Sequence, residues 1–119
     1  MAFKVAIVLL ADVGSAGDMG RMANALVTAQ ECHQAGDQVK LIFDGAGTKW
    51  IPELSSPQHK YHSLFMSVRE TIAGVCQYCA GAYSVADKVR SAGFELIDEY
   101  EGHPSLRQLI AQGFYIVTF

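Results

Sequence analysis

The chain has little of what several classes of protein require. It contains three cysteines, at positions 32, 76 and 79, and an odd number without secretory features argues against a disulfide scaffold. It has no apolar run near the roughly 20 residues of a membrane span. It has no block of Lys and Arg, and its formal charge is −3, so nucleic acid and anionic membranes are poor candidate partners. We therefore expect a soluble protein in a reducing compartment, the cytoplasm.

Nucleotide-binding signatures are also missing. The loop at residues 11–18 contains Gly14 and Gly17, which would let backbone N–H groups approach an anion at the start of a helix. It matches neither the G-x-G-x-x-G fingerprint nor a Walker loop, and an ordinary turn capped by Asp18 is the simpler interpretation. Asp44 directly follows the second predicted strand, but without the fingerprint it does not indicate ribose binding. We keep these residues as candidate pocket residues and expect no bound cofactor.

The residues that are present favour one α/β domain. Half of the 119 residues are apolar, which is enough for a proper core. Short apolar segments alternate with helical stripes, a pattern typical of parallel strands joined by right-handed crossovers. The predicted strands span residues 4–10, 38–43, 72–75, 94–97 and 114–119. The pattern predicts a single domain over residues 1–119, a three-layer α/β/α sandwich with a five-stranded, mainly parallel sheet.

Helical stripes and their boundary residues fill the intervals between the strands. Asp18 is the predicted N-cap of the first helix, and Gly36 is predicted to end it. Ser56 is predicted to begin a middle helix, and residues 44–56 to form a loop with one helical turn. The most regular stripe predicts a continuous helix over residues 82–92.

Two cysteines lie where the third predicted strand ends and a helical stripe begins. Ligands bind at the carboxyl ends of strands in an open parallel sheet, so Cys76 and Cys79 occupy a favourable place for chemistry. Unpaired N–H groups at a helix N-terminus stabilise a thiolate, which predicts a lowered pKa and a nucleophilic sulfur for Cys76. Tyr78 is expected to wall the site. His103, in the loop after the fourth strand, is a candidate to reach the thiols as a proton donor, although a histidine that caps a helix or is merely exposed is the simpler interpretation.

A Cys-x-x-Cys pair at this position is compatible with three chemistries. The thiols can carry a persulfide, exchange with disulfides or bind a metal. Zinc needs four ligands, and the chain has no second Cys-x-x-Cys. His59 and His62, spaced three residues apart, would have to supply the other two ligands from a helix that precedes the third strand, so we expect no metal. The alternative without chemistry is that both cysteines are small buried core residues.

The last predicted strand bears on assembly. Residues 114–119 contain two Phe and one Tyr, and an apolar edge strand left bare invites aggregation. Either this strand lies inside the sheet or another subunit covers it. We therefore expect a homo-oligomer.

The ordered pattern resembles the DsrE/DsrF-like family, which includes the YchN-like proteins and the Tus sulfur-relay subunits. The resemblance covers essentially the whole chain and rests on its length and on three segments. These are the opening strand with its small-residue loop, the Cys-x-x-Cys junction at residues 74–79, and the ending at residues 109–119. Residues 80–84 depart from the family pattern, because they contain no Arg-Gly step.

The resemblance implies an α/β/α domain assembled as a homotrimer or hexamer, with a catalytic cysteine at the end of the third strand, a role that falls on Cys76. Our leading hypothesis is a sulfur carrier or sulfurtransferase-like protein in which Cys76 bears a persulfide, Cys79 assists, and residues 14–18 help to form the pocket. Its partners would be sulfur donor and acceptor proteins. Two alternatives stay open: an oligomeric module of the same fold that binds a ligand or protein without catalysis, and a dithiol redox protein.

Overall fold

Five parallel strands form one sheet in the computed structural model, which describes residues 1–119. The strands are β1 Lys4–Leu9, β2 Gln38–Phe43, β3 Ile72–Cys76, β4 Leu96–Ile97 and β5 Tyr115–Thr118. Their order across the sheet is β4-β3-β2-β1-β5. The predicted α/β architecture and parallel sheet are confirmed, and each strand ends within two residues of its predicted range.

Six α-helices and two short 3₁₀ helices connect the strands. The α-helices are α1 Ala16–Gln34, α2 Trp50–Ser55, α3 His62–Ser67, α4 Gln77–Ala82, α5 Ala86–Ser91 and α6 Leu106–Ala111. The 3₁₀ helices are Gly45–Lys49 and Arg69–Thr71. None of the helices is both long enough and apolar enough to cross a membrane.

The predicted continuous helix over residues 82–92 is wrong, because the chain breaks it into α4 and α5. Ser84 has a φ of 59°, in the left-handed region. The Val85 N–H donates to the Ala80 carbonyl at 2.8 Å, and the Ser84 N–H donates to the Gly81 carbonyl at 3.1 Å. These two bonds form a Schellman motif, which satisfies the last carbonyls of a helix as it ends. The apolar spacing crosses the break, but Ala82 at the end of α4 is exposed, whereas Val85 and Val89 are buried.

Two of the predicted helix boundaries need correction. Ser15, and not Asp18, is the N-cap of α1, because its Oγ accepts the Asp18 N–H at 3.1 Å. Ser56 ends α2 instead of beginning a middle helix, and residues 44–56 hold a 3₁₀ helix and α2 where one helical turn was expected. Gly36 follows the end of α1 with a φ of +85°, as predicted.

The two faces of the sheet are covered unequally. Side chains of α1 to α5 pack on one face, where 19 buried residues form the main core. On the opposite face α6 contributes to a core of four buried residues, Ala6, Ile42, Leu109 and Phe114. Full burial of one Leu or Phe side chain stabilises a fold by about 1.5–3 kcal/mol, so the main core supplies most of the stability.

A close backbone contact fixes the segment after β2 against the end of β1. A Cβ atom on Gly47 would lie 2.1 Å from the Leu9 carbonyl oxygen, so this position accepts no side chain. The Trp50 indole N–H also donates to the Ala11 carbonyl at 2.9 Å. The contact holds the 3₁₀ helix, and with it Asp44 at its start, at the carboxyl edge of the sheet.

Candidate functional site

The first part of the site is the junction between β3 and α4. Cys76 is the last residue of β3 and the N-cap of α4, and its side chain is fully buried. Its Sγ accepts the Cys79 backbone N–H at 3.4 Å. A sulfur that accepts a backbone N–H in this way is held in one orientation, with its remaining lone pairs free to face a partner.

The turn after β4 brings an imidazole to that sulfur. Glu101 and Gly102 have φ values of 51° and 81°, the positive pair that a type I′ turn requires, and two backbone hydrogen bonds of 2.8 Å join Tyr100 to His103 across it. The His103 Nδ1 lies 3.2 Å from the Cys76 Sγ. The structure thus places His103 at the thiol, within hydrogen-bond distance.

Tyr78 covers the solvent side of the Cys76–His103 pair. Its ring packs on the His103 ring with centroids 4.9 Å apart, and its backbone N–H donates to the Gly102 carbonyl at 2.9 Å. The same carbonyl lies 3.8 Å from the Cys76 Sγ. Tyr78 is 62% exposed, so it forms the solvent side of the site.

Asp44 reaches the second thiol from the other side. It caps the 3₁₀ helix Gly45–Lys49, with its Oδ1 accepting the Gly45 N–H at 2.8 Å. The same Oδ1 lies 3.6 Å from the Cys79 Sγ, which donates to it. Asp44 and Cys79 are both half-buried, so this pair is nearer to solvent than Cys76.

Four side chains therefore converge from three loops. Asp44, Cys76, Cys79 and His103 each offer one donor atom, and these atoms all lie within 4.8 Å of one another. Their loops follow β2, β3 and β4, which are adjacent in the sheet. The arrangement has a thiol beside a base and a second thiol beside a carboxylate, which suits both sulfur chemistry and cation binding.

The prediction of a lowered pKa for Cys76 is wrong for the free protein. The pKa of the Cys76 thiol is raised to about 12, chiefly by burial and to a smaller extent by the Cys79 and Asp44 side chains, although the hydrogen bond from the Cys79 N–H lowers it. The helix that follows has only six residues, so its dipole is short. Removal of the sulfur from water therefore has the larger effect.

The loop after β1 does not join the four donors. Asp18 accepts a hydrogen bond from the Ser15 hydroxyl at 2.9 Å and pairs with Arg21 at 3.2 Å. A Cβ atom added to Gly17 would meet the Arg21 guanidinium and the Ser15 hydroxyl, and one added to Gly14 would meet nothing within 4 Å. These three candidate pocket residues, Gly14, Gly17 and Asp18, have contacts that are local to their own loop.

The histidine pair weighed as metal ligands is also engaged locally. The His59 Nδ1 accepts the Tyr61 N–H at 3.0 Å, and the His62 Nδ1 lies 2.7 Å from the Leu54 carbonyl. Cys32, the third cysteine, is half-buried near the end of α1 and packs against the main core, and burial raises its pKa. The side chains that do join the thiols are Asp44 and His103.

The turn that positions His103 is a part of the site that sequence reasoning missed. Glu101-Gly102 is a weak form of the acidic-residue–glycine turn signal, and a two-residue turn there would have placed His103 opposite Tyr100. A concavity of about 660 Å³ lies instead at the amino ends of β3 and β4, beside Arg69 and Phe94. None of the four donors lines that concavity.

One comparison with known proteins is informative. The chain is 30% identical over 100 residues to the uncharacterized protein MJ0733 of Methanocaldococcus jannaschii, an alignment that covers 84% of this chain and 81% of the other. The chain belongs to the family of that protein. No protein-family model matches the sequence, and no solved structure matches it. The family relationship therefore brings no activity with it, and the chemistry has to be argued from the site.

Proposed function

We propose that this protein is a sulfur carrier of the sulfurtransferase type, in which Cys76 bears a persulfide and Cys79 assists its release. The observation that supports the proposal most is the 3.2 Å separation between the Cys76 Sγ and the His103 Nδ1. A thiol beside an imidazole is an activated nucleophile, because the base takes the proton as the sulfur attacks. The base matters here because a buried thiol gives little free thiolate at neutral pH.

Loading begins with an external persulfide, R–S–SH. The Cys76 sulfur attacks the terminal sulfur of the donor, so that one S–S bond forms and the donor S–S bond breaks. The proton of Cys76 passes to the His103 Nδ1 and then to the departing thiolate. The products are Cys76–S–SH and R–SH, with no net oxidation or reduction.

The terminal sulfur can leave Cys76 by either of two routes. An acceptor thiolate attacks the terminal sulfur, takes it as a persulfide and leaves Cys76 reduced. Alternatively, the Cys79 thiolate attacks the inner sulfur, which forms a Cys76–Cys79 disulfide and expels hydrosulfide. An external dithiol then reduces the disulfide by thiol–disulfide exchange. Cys79 is suited to this role because its Sγ lies within 4.8 Å of the Cys76 Sγ.

The resemblance to the DsrE/DsrF-like family supports the same assignment. That resemblance puts the catalytic cysteine at the end of the third strand, which is the position of Cys76 in β3. Protein donors and acceptors of sulfur, and a cytoplasmic location with its reduced thiols, are part of the proposal.

Intact-mass spectrometry after incubation with glutathione persulfide tests the proposal. We expect a one-sulfur adduct on the native chain and on Cys32→Ser, the matched control, because Cys32 lies near the end of α1 and away from His103. We expect no adduct on Cys76→Ser. On Cys79→Ser we expect an adduct that persists longer than on the native chain.

The same measurement separates the alternatives. A stable Cys76–Cys79 disulfide in the native chain, with no adduct on Cys79→Ser, would favour a dithiol redox protein, because Cys79 cannot displace the sulfur in that variant. No adduct on any chain, with both site thiols inert to alkylation, would favour a binding module. Either outcome would contradict sulfur carriage.

We also propose that the protein is a homo-oligomer, as a trimer or hexamer. The edge strand β5 leaves Tyr115 65% and Val117 38% exposed, and Phe3 packs edge-to-face on Tyr115 with centroids 6.2 Å apart. A second copy that covers these side chains would remove an apolar edge from water. Light scattering should give a multiple of the chain mass, and a monomer mass would contradict this part of the proposal.

A further inference from the structure

We propose that Asp44, Cys76, Cys79 and His103 form a closed, four-ligand site for a thiophilic divalent cation of the zinc class. Their donor atoms lie within 4.8 Å of one another and come from three separate loops. The set comprises two sulfurs, one imidazole nitrogen and one carboxylate oxygen. Each is an established zinc ligand, and four of them complete a tetrahedral shell.

The distances already approach those of a bound site. Zinc bonds of about 2.0–2.3 Å place tetrahedral ligands roughly 3.3–3.8 Å apart. The Cys76 Sγ lies 3.2 Å from the His103 Nδ1, and the Cys79 Sγ lies 3.6 Å from the Asp44 Oδ1. The site forms by a small inward movement of the two pairs toward a common centre.

Local backbone structure supports the same ligand set. The Cys-x-x-Cys spacing lets both sulfurs face one centre from a single turn, and it is a spacing typical of zinc sites. The Cys79 N–H to Cys76 Sγ bond, at 3.4 Å, stabilises negative charge on that sulfur. The Asp44 Oδ1 is held by the Gly45 N–H at 2.8 Å, which fixes the carboxylate before a cation arrives.

The chemistry of the donors selects the cation. Two thiolates favour zinc and other thiophilic ions over magnesium and calcium, which prefer shells made of oxygen. On binding, both thiols release their protons to solvent, and the two thiolates and the carboxylate share the positive charge. Four protein ligands leave no open position, so the bound cation would mask both thiols.

Because the cation would mask both thiols, zinc binding would also affect the proposed function. The metal site itself does not depend on that function. If Cys76 carries sulfur, zinc competes with persulfide for the same atom, a consequence that rests on the proposed function. The metal site itself is tested by binding and by thiol protection, neither of which involves sulfur transfer. Failure of one proposal therefore leaves the other open to its own test.

Titration of the full chain with Zn²⁺ against a chromogenic chelator is the main experiment. We expect one equivalent to bind, and Cys76→Ser, Cys79→Ser and His103→Gln each to weaken binding by more than about 100-fold. That bound exceeds the roughly 10–100-fold loss expected for an outer partner of a ligand. Asp44→Asn should weaken binding as well. The matched controls Cys32→Ser, His59→Gln and Asp18→Asn should bind as the native chain does.

Two further measurements report on the ligands directly, so that a variant that fails to fold does not decide the result. Co²⁺ should give the intense absorption of tetrahedral cobalt with a thiolate charge-transfer band, and these bands should vanish in Cys79→Ser. Zn²⁺ should also protect Cys76 and Cys79, but not Cys32, from alkylation in the native chain. Binding that survives Cys79→Ser, equal losses in the control variants, or no protection of the thiols would overturn the proposal.

Discussion

The four loops at the carboxyl edge of the sheet fall into two groups. The loops after β2, β3 and β4 direct donor groups toward one another, so that Asp44, Cys79, Cys76 and His103 form a single cluster. The loop after β1 pairs its polar groups among themselves or with a lysine, as in the Ser15–Asp18 and Asp12–Lys49 contacts. A place at the carboxyl edge is therefore not enough for a site, because the polar side chains must also converge on one another.

The largest expected effect is on sulfur loading. Cys76→Ser should abolish the one-sulfur adduct, because the attacking atom is removed, whereas Asp18→Asn in the loop after β1 should load normally. Intact mass measures both. Equal loading of Cys76→Ser and Asp18→Asn would contradict the assignment of sulfur chemistry to the loop after β3.

A loss of about 100-fold in the rate of loading is expected for His103→Gln. General-base assistance contributes typically 10²–10⁴-fold, and Gln accepts a hydrogen bond without taking the proton. His33→Gln is the matched control, because His33 pairs with the exposed Glu70 at 2.7 Å and belongs to α1. The two rates are compared by quenched time courses. An unchanged rate for His103→Gln would show that this imidazole is not the base.

Backbone packing offers a comparison on stability. Gly47→Ala should lower the free energy of unfolding by about 2–4 kcal/mol, because the new Cβ would lie 2.1 Å from the Leu9 carbonyl. Gly14→Ala, in the loop after β1, has nothing within 4 Å and should change stability by less than about 0.5 kcal/mol. Urea unfolding measures both. Similar losses of stability in the two variants would show that the close packing of Gly47 against Leu9 does not constrain the segment after β2.

Stability should also fall as the pH rises above about 9. The pKa of Cys76 is about 12 in the folded protein, against about 8.5 for a free thiol, so between these values the unfolded chain loses a proton that the folded chain keeps. The contribution is complete below the unfolded pKa and is lost as the pH approaches 12. Urea midpoints across this range should fall less steeply for Cys76→Ser than for Cys32→Ser. Parallel curves would contradict the burial of Cys76.

The smallest effect is expected at the cap of α1. Ser15→Ala removes the Oγ that accepts the Asp18 N–H and should cost about 1 kcal/mol of stability. Sulfur loading and zinc binding should both be unchanged. A change in either would show that the loop after β1 contributes to the site.

Apolar runs were sufficient to predict the strands, because a buried parallel strand needs little more than continuous hydrophobicity. The break at Ser84 was not predictable from apolar spacing, since Ala82 and Val85 keep a helical spacing although α4 ends at Ala82. The cap at Ser15 had a signal, the Ser-x-x-Asp pattern that places an acid three residues after a capping serine.

The thiol pair and its candidate neighbours Tyr78 and His103 were predictable from their places at one edge of the sheet, but the contact of Asp44 with Cys79 was not. Asp44 and Cys79 meet because β2 and β3 are neighbours in the sheet, and strand order is a property of the whole fold. The direction of the Cys76 pKa shift depends on burial, which only packing decides. The helix start in the sequence therefore predicts the effect of a helix N-terminus on the thiol pKa, but it does not predict the larger effect of burial.

The most direct test of sulfur carriage is to map the added sulfur in the native chain by fragmentation mass spectrometry after loading with glutathione persulfide. The account predicts that the extra sulfur lies on the peptide that contains Cys76 and that an added acceptor thiol removes it. An adduct confined to Cys32, or one on Cys76 that no acceptor thiol removes, would contradict the proposal that this protein is a sulfur carrier.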